Sequence, residues 1–148
     1  MFKHILVPVD GTPMGDTTVN RACALAKETG ARVTFYHAKP AYFPPVIAGE
    51  AGFNDALAQE AFSAGAEKQA QAILRRAQDA AAAVGLASET LTTECHSPYE
   101  GIIATAESRA CDLIFMSSHG RRGMSALLLG SETQKVLTHC RIPVLVYR

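Results

Sequence analysis

The chain has 148 residues, 48% of them hydrophobic and 19% charged, a balance that suits one soluble globular domain over residues 1–148 with room for a core. Lys plus Arg and Asp plus Glu both number 14, so the formal net charge is zero. That argues against nucleic acid or an anionic membrane as the main partner, since either needs a basic excess, although Arg121-Arg122 leaves a local basic spot.

The first apolar run, Ile5 to Val9, is five residues long. It is too short for a signal-peptide core, and no window approaches the ~18 apolar residues of a membrane span, so a cytoplasmic location is expected. The run itself, "HILVPV", reads as a strand buried on both faces. After the turn "DGTPMGDT", Val19, Ala22, Cys23 and Ala26 recur at helical spacing, and Gly30 stands where a helix C-terminal cap belongs. "ARVTFYH" is a second strand. Lys39 to Asp55, with three prolines and two glycines, reads as a long irregular loop whose Tyr42, Phe43 and Phe53 dock on something. Ala66, Ala70, Ile73, Ala77, Ala80 and Val84 then form one apolar face of a long helix that ends at Gly85.

"SETLTTEC" alternates like a strand with one wetter face, near a sheet edge. "SPYEGIIATAESRA" is a helix with Ser97 as N-cap and Pro98 at its first position. "CDLIFMS" is another buried strand. "SETQKVLTHC" is a helix whose Ser131 and Gln134 match a capping box, and "IPVLVYR" is a last strand. The four cysteines, Cys23, Cys95, Cys111 and Cys140, lack paired spacing and read as reduced, mostly buried thiols. The five histidines form no metal-ligand cluster; His37 reads as structural, and His4, His96 and His139 carry no assigned role.

Strands alternating with helices imply an α/β fold, a single five-stranded parallel sheet of order 3-2-1-4-5 with helices on both faces. In such sheets ligands bind beyond the carboxyl ends of the strands where the order reverses, here between the first and fourth strands. The first ends at Pro8-Val9-Asp10; the fourth ends at Met116-Ser117 and delivers "SSHGRRGMSALLLGS". That segment suits an anion. Gly120, Gly123 and Gly130 let backbone N–H groups converge, and Gly130-Ser131 leads into a helix N-terminus where the dipole favours negative charge. Arg121, Arg122 and the Ser131 hydroxyl add donors, and Asp10 can accept from a ribose hydroxyl or help hold a metal. Neither the P-loop pattern nor G-x-G-x-x-G after the first strand is present.

At these residues the chain resembles the universal stress protein family. The likeness runs over nearly the whole length: "KHILVPVD", the "YHA" that ends the second strand, "DLIFMSSHGRRG" and "IPVLVYR". The family's ATP-binding branch carries G-x2-G-x9-G-S/T. Here Ser117-Ser118-His119-Gly120, then the nine residues Arg121 to Leu129, then Gly130-Ser131 match it with Ser117 in the first glycine's place. The resemblance implies a Rossmann-like, adenine nucleotide alpha-hydrolase-like fold. It also implies a pocket for ATP (or ADP or AMP) in which Pro8, Val9, Asp10, Ala38 and Met116 meet base and ribose. Ser117, His119, Gly120, Gly130, Ser131, Glu132 and Thr133 would surround the phosphates, with Arg121 a further candidate. Ser117 can crowd a nucleotide or donate to it, and Glu132 sets a carboxylate near the phosphates that Mg²⁺ or Mn²⁺ would bridge. The family also implies a homodimer through the last strand, residues 142–147, and a protein partner the residues do not name.

Three readings follow. The chain is an ATP-binding regulator whose nucleotide occupancy changes shape or dimer contacts. Alternatively it is a slow metal-dependent ATPase or nucleotidyl-transfer enzyme, with Asp10, His119 and Glu132 the only candidates for chemistry. The third reading is a dimeric interaction module that binds no nucleotide, a reading that Ser117 favours.

Overall fold

The computed structural model describes residues 1–44, 53–118 and 129–148. The elements run β1 (His4–Pro8), α1 (Pro13–Thr29), β2 (Arg32–Pro40), α2 (Phe53–Ala83), β3 (Ser88–Cys95), α3 (Pro98–Ser108), β4 (Leu113–Ser117), α4 (Ser131–His139) and β5 (Val144–Tyr147). All the strand pairs are parallel and the sheet order is β3-β2-β1-β4-β5, as the alternation of elements predicts.

Two cores follow from strands that are apolar on both faces. On one face, Ile5, Val7, Val33, Phe35, Leu113 and Phe115 meet Val19, Ala22, Cys23 and Ala26 of α1 and Ile73, Leu74, Ala77 and Ala81 of α2. On the other, Leu6, Tyr36, Ile114 and Met116 meet Ile102 and Ala106 of α3 and Val136 of α4. Helix α1 starts on Thr12, which accepts from the Gly15 N–H, and stops at Gly30 with φ 70°, the left-handed cap its position implied. Edge strand β3 is half-buried or exposed throughout, which matches its wetter sequence.

Three elements differ from expectation. Helix α2 begins at Phe53, well before the apolar face at Ala66. Residues 56–65 are exposed, so no buried stripe announces them; their Ala, Leu, Gln and Glu carry helix propensity instead. Val84 is exposed beyond the helix end and does not extend the face. Strand β2 runs on to Pro40 because β3 pairs with it as far as Pro40↔Cys95. The expected docking loop falls partly on residues 45–52, outside the described residues. Of its aromatics, Tyr42 packs 5.5 Å from the Phe62 ring, while Phe43 lies 4.9 Å from the His96 ring and remains 69% exposed. Cys23 and Cys111 are buried and Cys95 and Cys140 half-buried, all four as free thiols. Among the described residues no helix is long and apolar enough to cross a membrane.

Candidate functional site

The strand order reverses between β1 and β4, and the carboxyl ends of those two strands are where open α/β sheets place a ligand. One wall is built by strand length. β1 pairs with β2 only as far as Pro8↔Tyr36, whereas β2 and β3 continue four pairs further, through His37, Ala38, Lys39 and Pro40. At ~3.3 Å per residue that wall stands about 13 Å above the end of β1.

Side-chain alternation decides which candidates share a face. Tyr36, Ile114 and Met116 point to the α3/α4 side, with Ala38 packed against the same cluster. Leu6 pairs with Ile114, so two residues further on Pro8 stands beside Met116 on that side. Pro8, Ala38 and Met116 are thereby brought together. Val9 is not: its side chain is buried in the opposite core. Its backbone is also engaged, its N–H donating to Tyr36 O at 2.8 Å and its carbonyl meeting the buried His37 Nδ1 at 2.7 Å. His37 thus has the structural role its place at a strand end suggested. Asp10 Oδ1 accepts from Thr12 N at 3.0 Å and from Thr12 Oγ1 at 2.7 Å, which ties the carboxylate to the cap of α1.

The other wall is the start of α4. Gly130 has φ −57° and ψ 147° and is the N-cap, so the cap residue itself brings no side-chain acceptor to this helix. The expected capping box is therefore absent. Gly130 takes the extended backbone, Ser131 enters the helix as its first residue and stays exposed, and Gln134 Nε2 reaches past it to Leu129 O at 3.2 Å. Two bonds pin this turn to the end of β4: Gly130 N to Ser118 O at 2.7 Å, and the buried Thr133's Oγ1 to Ser117 O at 3.0 Å. His119, Gly120 and Arg121 lie outside the described residues.

Glu132, expected near the phosphates, has both carboxylate oxygens engaged. Its Oε2 accepts from Tyr99 N in the first turn of α3 at 2.8 Å, and its Oε1 accepts from Lys135 Nζ at 2.9 Å. The hydrogen bond to Glu132 holds the Lys135 ammonium above its ordinary range. Ser97, the expected cap of α3, makes no side-chain capping bond, so Glu132 supplies the acceptor instead. Sequence reading missed Tyr99 and Lys135. The Lys135 pairing was accessible from its i, i+3 spacing; the Tyr99 contact spans 33 residues and has no local signature.

Comparison with known proteins decides the lineage. Residues 1–148 match the sequence model of the universal stress protein family. The chain belongs to the universal stress protein family. A universal stress protein of Thermus aquaticus, encoded in the 3' region of a QAH/OAS sulfhydrylase, is 33% identical over 153 residues, covering 100% of both chains. Among solved structures, a universal stress protein in complex with cAMP superposes with TM-score 0.71 at 22% identity, over 99% of this chain and 97% of that one. One from Archaeoglobus fulgidus in complex with dAMP gives TM-score 0.67 at 17% identity, over 100% of this chain and 98% of that one. At these identities the superpositions establish the shared fold.

Proposed function

We propose that this universal stress protein binds an adenine nucleotide, with ATP as the working ligand. The base and ribose lie against Pro8, Ala38 and Met116, Asp10 is in reach of the ribose, and the phosphates lie at Gly130, Ser131 and the first turn of α4. The observation that carries this reading is the glycine N-cap and exposed Ser131 at the start of α4, whose first turn no described side chain caps. At the same end of the sheet α1 is capped by Thr12 and α3 by Glu132, whereas α4 presents a glycine N-cap and an exposed Ser131. First-turn N–H groups and the helix dipole make such an end a receptor for an anion. The cAMP and dAMP complexes of its structural relatives support an adenine nucleotide as the occupant.

Among the described residues no three His, Cys, Asp or Glu side chains cluster, and the carboxylates of Asp10 and Glu132 are engaged by Thr12, Tyr99 and Lys135. A divalent cation enters this reading only as the counter-ion of nucleotide phosphates. We read the chain as a binding protein, with Asp10 and Glu132 engaged by neighbouring residues and His119, the third candidate for chemistry, outside the described residues. As a regulator, the chain works as a homodimer through edge strand β5, whose outer side would otherwise expose unpaired backbone.

The test is to identify what the purified protein carries after heat denaturation, and then to titrate nucleotide-free protein with ATP and Mg²⁺ by calorimetry. A near-stoichiometric adenine nucleotide, or a saturable heat that Gly130→Val removes, is the expected result. The Gly130 backbone angles are open to valine, so the substitution carries no backbone strain, and an unchanged urea midpoint would show that the fold accepts it. No nucleotide and no heat up to ~1 mM ATP, the weakest affinity of biological use at about −4 kcal/mol, would leave the dimeric interaction module as the reading.

A further inference from the structure

We propose that Glu132 is a positioning residue for the anion end of the crevice: it clamps the start of α3 to the start of α4 and so fixes where the α4 N–H groups point. This rests on the nucleotide-binding reading above.

Three consecutive residues divide the labour in the first turn of α4. Thr133 ties the turn to β4 through Ser117 O. Glu132 ties it to α3 through Tyr99 N. Ser131 faces outward between them. A rigid anchor on each side is what a preorganised receptor for phosphate requires, because donors already in place need no rearrangement when the ligand arrives.

Charge supports the same assignment. Two helix N-termini lie side by side here, each equivalent to roughly half a positive charge, and the carboxylate between them offsets their repulsion. Lys135 neutralises the other oxygen; its Nζ also sits 5.4 Å from the centroid of the Tyr99 ring, whose opposite neighbour is His139 at 5.3 Å between centroids. The carboxylate is therefore satisfied internally on both oxygens and is not presented to the ligand as a bare negative charge.

Two roles for Glu132 now predict opposite signs. If it only repels phosphate, Glu132→Ala and Glu132→Gln both tighten nucleotide binding. As a clamp, Glu132→Ala weakens binding of ATP with Mg²⁺ by about tenfold, the size of one lost hydrogen bond to a charged group. Glu132→Gln keeps an oxygen for the Tyr99 N–H and restores affinity to within about threefold of wild type, as a retained neutral hydrogen bond would. Lys135→Ala gives a second variant that leaves the α3 contact in place but unmasks the charge, and it too weakens binding. A readout independent of nucleotide accompanies these titrations. Amide exchange at Tyr99 in the ligand-free protein accelerates in Glu132→Ala and is slowed again in Glu132→Gln. Equal or tighter binding by Glu132→Ala overturns the proposal, as does a Gln variant no better than Ala. Loss of Tyr99 protection without any loss of affinity would show a clamp with no positioning role. If the wild-type protein takes up no adenine nucleotide, the functional reading itself fails, and the Tyr99 exchange still reports on the clamp.

Discussion

At Gly101 helix α3 lies directly against Tyr36 of β2 and Cys95 of β3, and adding one methyl there tests the packing that sets the α3 wall. An ideal Cβ on Gly101 would overlap the hydroxyl oxygen of Tyr36 and lie 3.3 Å from its Cζ and 3.2 Å from Cys95 Sγ. The Tyr36 ring is 1% exposed and its hydroxyl is held by Thr93 Oγ1 at 2.6 Å, so it has little freedom to retreat. Overpacking of this kind costs about 1–3 kcal/mol, and the gain from replacing a helical glycine returns about 0.5–1 kcal/mol. Gly101→Ala is therefore expected to destabilise by about 1–2 kcal/mol. Tyr36→Phe removes the obstructing oxygen and its hydrogen bond to Thr93, together with its interactions with Cys95 and the buried Thr105, at a cost of about 1–2 kcal/mol. In the double variant the new methyl enters the space the oxygen left. Its stability should lie close to that of Tyr36→Phe alone, a favourable coupling of about 1–2 kcal/mol relative to additivity. Urea unfolding of all four proteins, at matched m-values, measures it. Additive losses within about 0.3 kcal/mol would refute the argument, because they would mean that α3 does not rest on the Tyr36 hydroxyl.

Other consequences follow from buried titratable groups. His4 is 4% exposed, and burial first, then the nearby Arg32 guanidinium, lower its pKa from the ordinary 6.5. The unfolded chain then binds the proton more readily than the folded one, so stability is complete above pH 6.5 and is lost as pH falls below it. Between pH 7.5 and 5.5 the urea midpoint of wild type should fall further than that of His4→Gln, and parallel falls would show that other groups account for the loss. Asp112, whose pKa is also lowered despite the opposing effect of burial because it accepts from the Lys3 and His4 N–H groups, acts below 3.8 and outside that window. Burial pushes the Cys111 thiol up to about 11 and raises that of Cys23. At pH 8 only about one Cys111 in a thousand is thiolate, so Cys111 and Cys23 should stay silent to a disulfide reagent in the native protein and react only when urea is added. Fast labelling of all four cysteines without urea would contradict the packing described.

The sheet order was legible because strands buried on both faces and helices with one apolar face leave few ways to alternate. The Gly30 cap was legible because glycine after an apolar stripe has one common use. The first three turns of α2 were not, since residues 56–65 bury nothing and hydrophobic periodicity reports burial rather than helicity. Within the crevice, alternation along the strands predicts the common face of Pro8, Ala38 and Met116, and it equally removes Val9 from that face. The capping of α4 was misread for a local reason. Ser131 and Gly130 are both acceptable N-caps, and the choice is made by the carbonyl of Ser117, which ends β4, and that of Ser118 just after it, which hold the Thr133 hydroxyl and the Gly130 N–H.

The two departures from the family's phosphate pattern are absorbed by structure rather than left to oppose a ligand. Ser117 stands where the pattern has its first glycine, but it is the last residue of β4, where Met116 faces α3 and α4 and Phe115 faces the opposite core. Alternation sends the Ser117 side chain toward the Phe115 side, away from Pro8, Ala38 and Met116, while its carbonyl holds Thr133. A Cβ at this position therefore does not narrow the face on which a base would lie. Glu132 brings a negative charge to the start of α4, but both its oxygens are engaged, by the Tyr99 N–H and the Lys135 ammonium. A glycine is needed in such a loop only where the ligand or the backbone turn leaves no room for a side chain. Ser117 ends a strand with no positive φ to call for glycine, whereas Gly130 is the N-cap of α4, next to its first-turn N–H groups. That asymmetry is why Gly130, and not Ser117, is the position at which nucleotide affinity should be most sensitive to an added side chain.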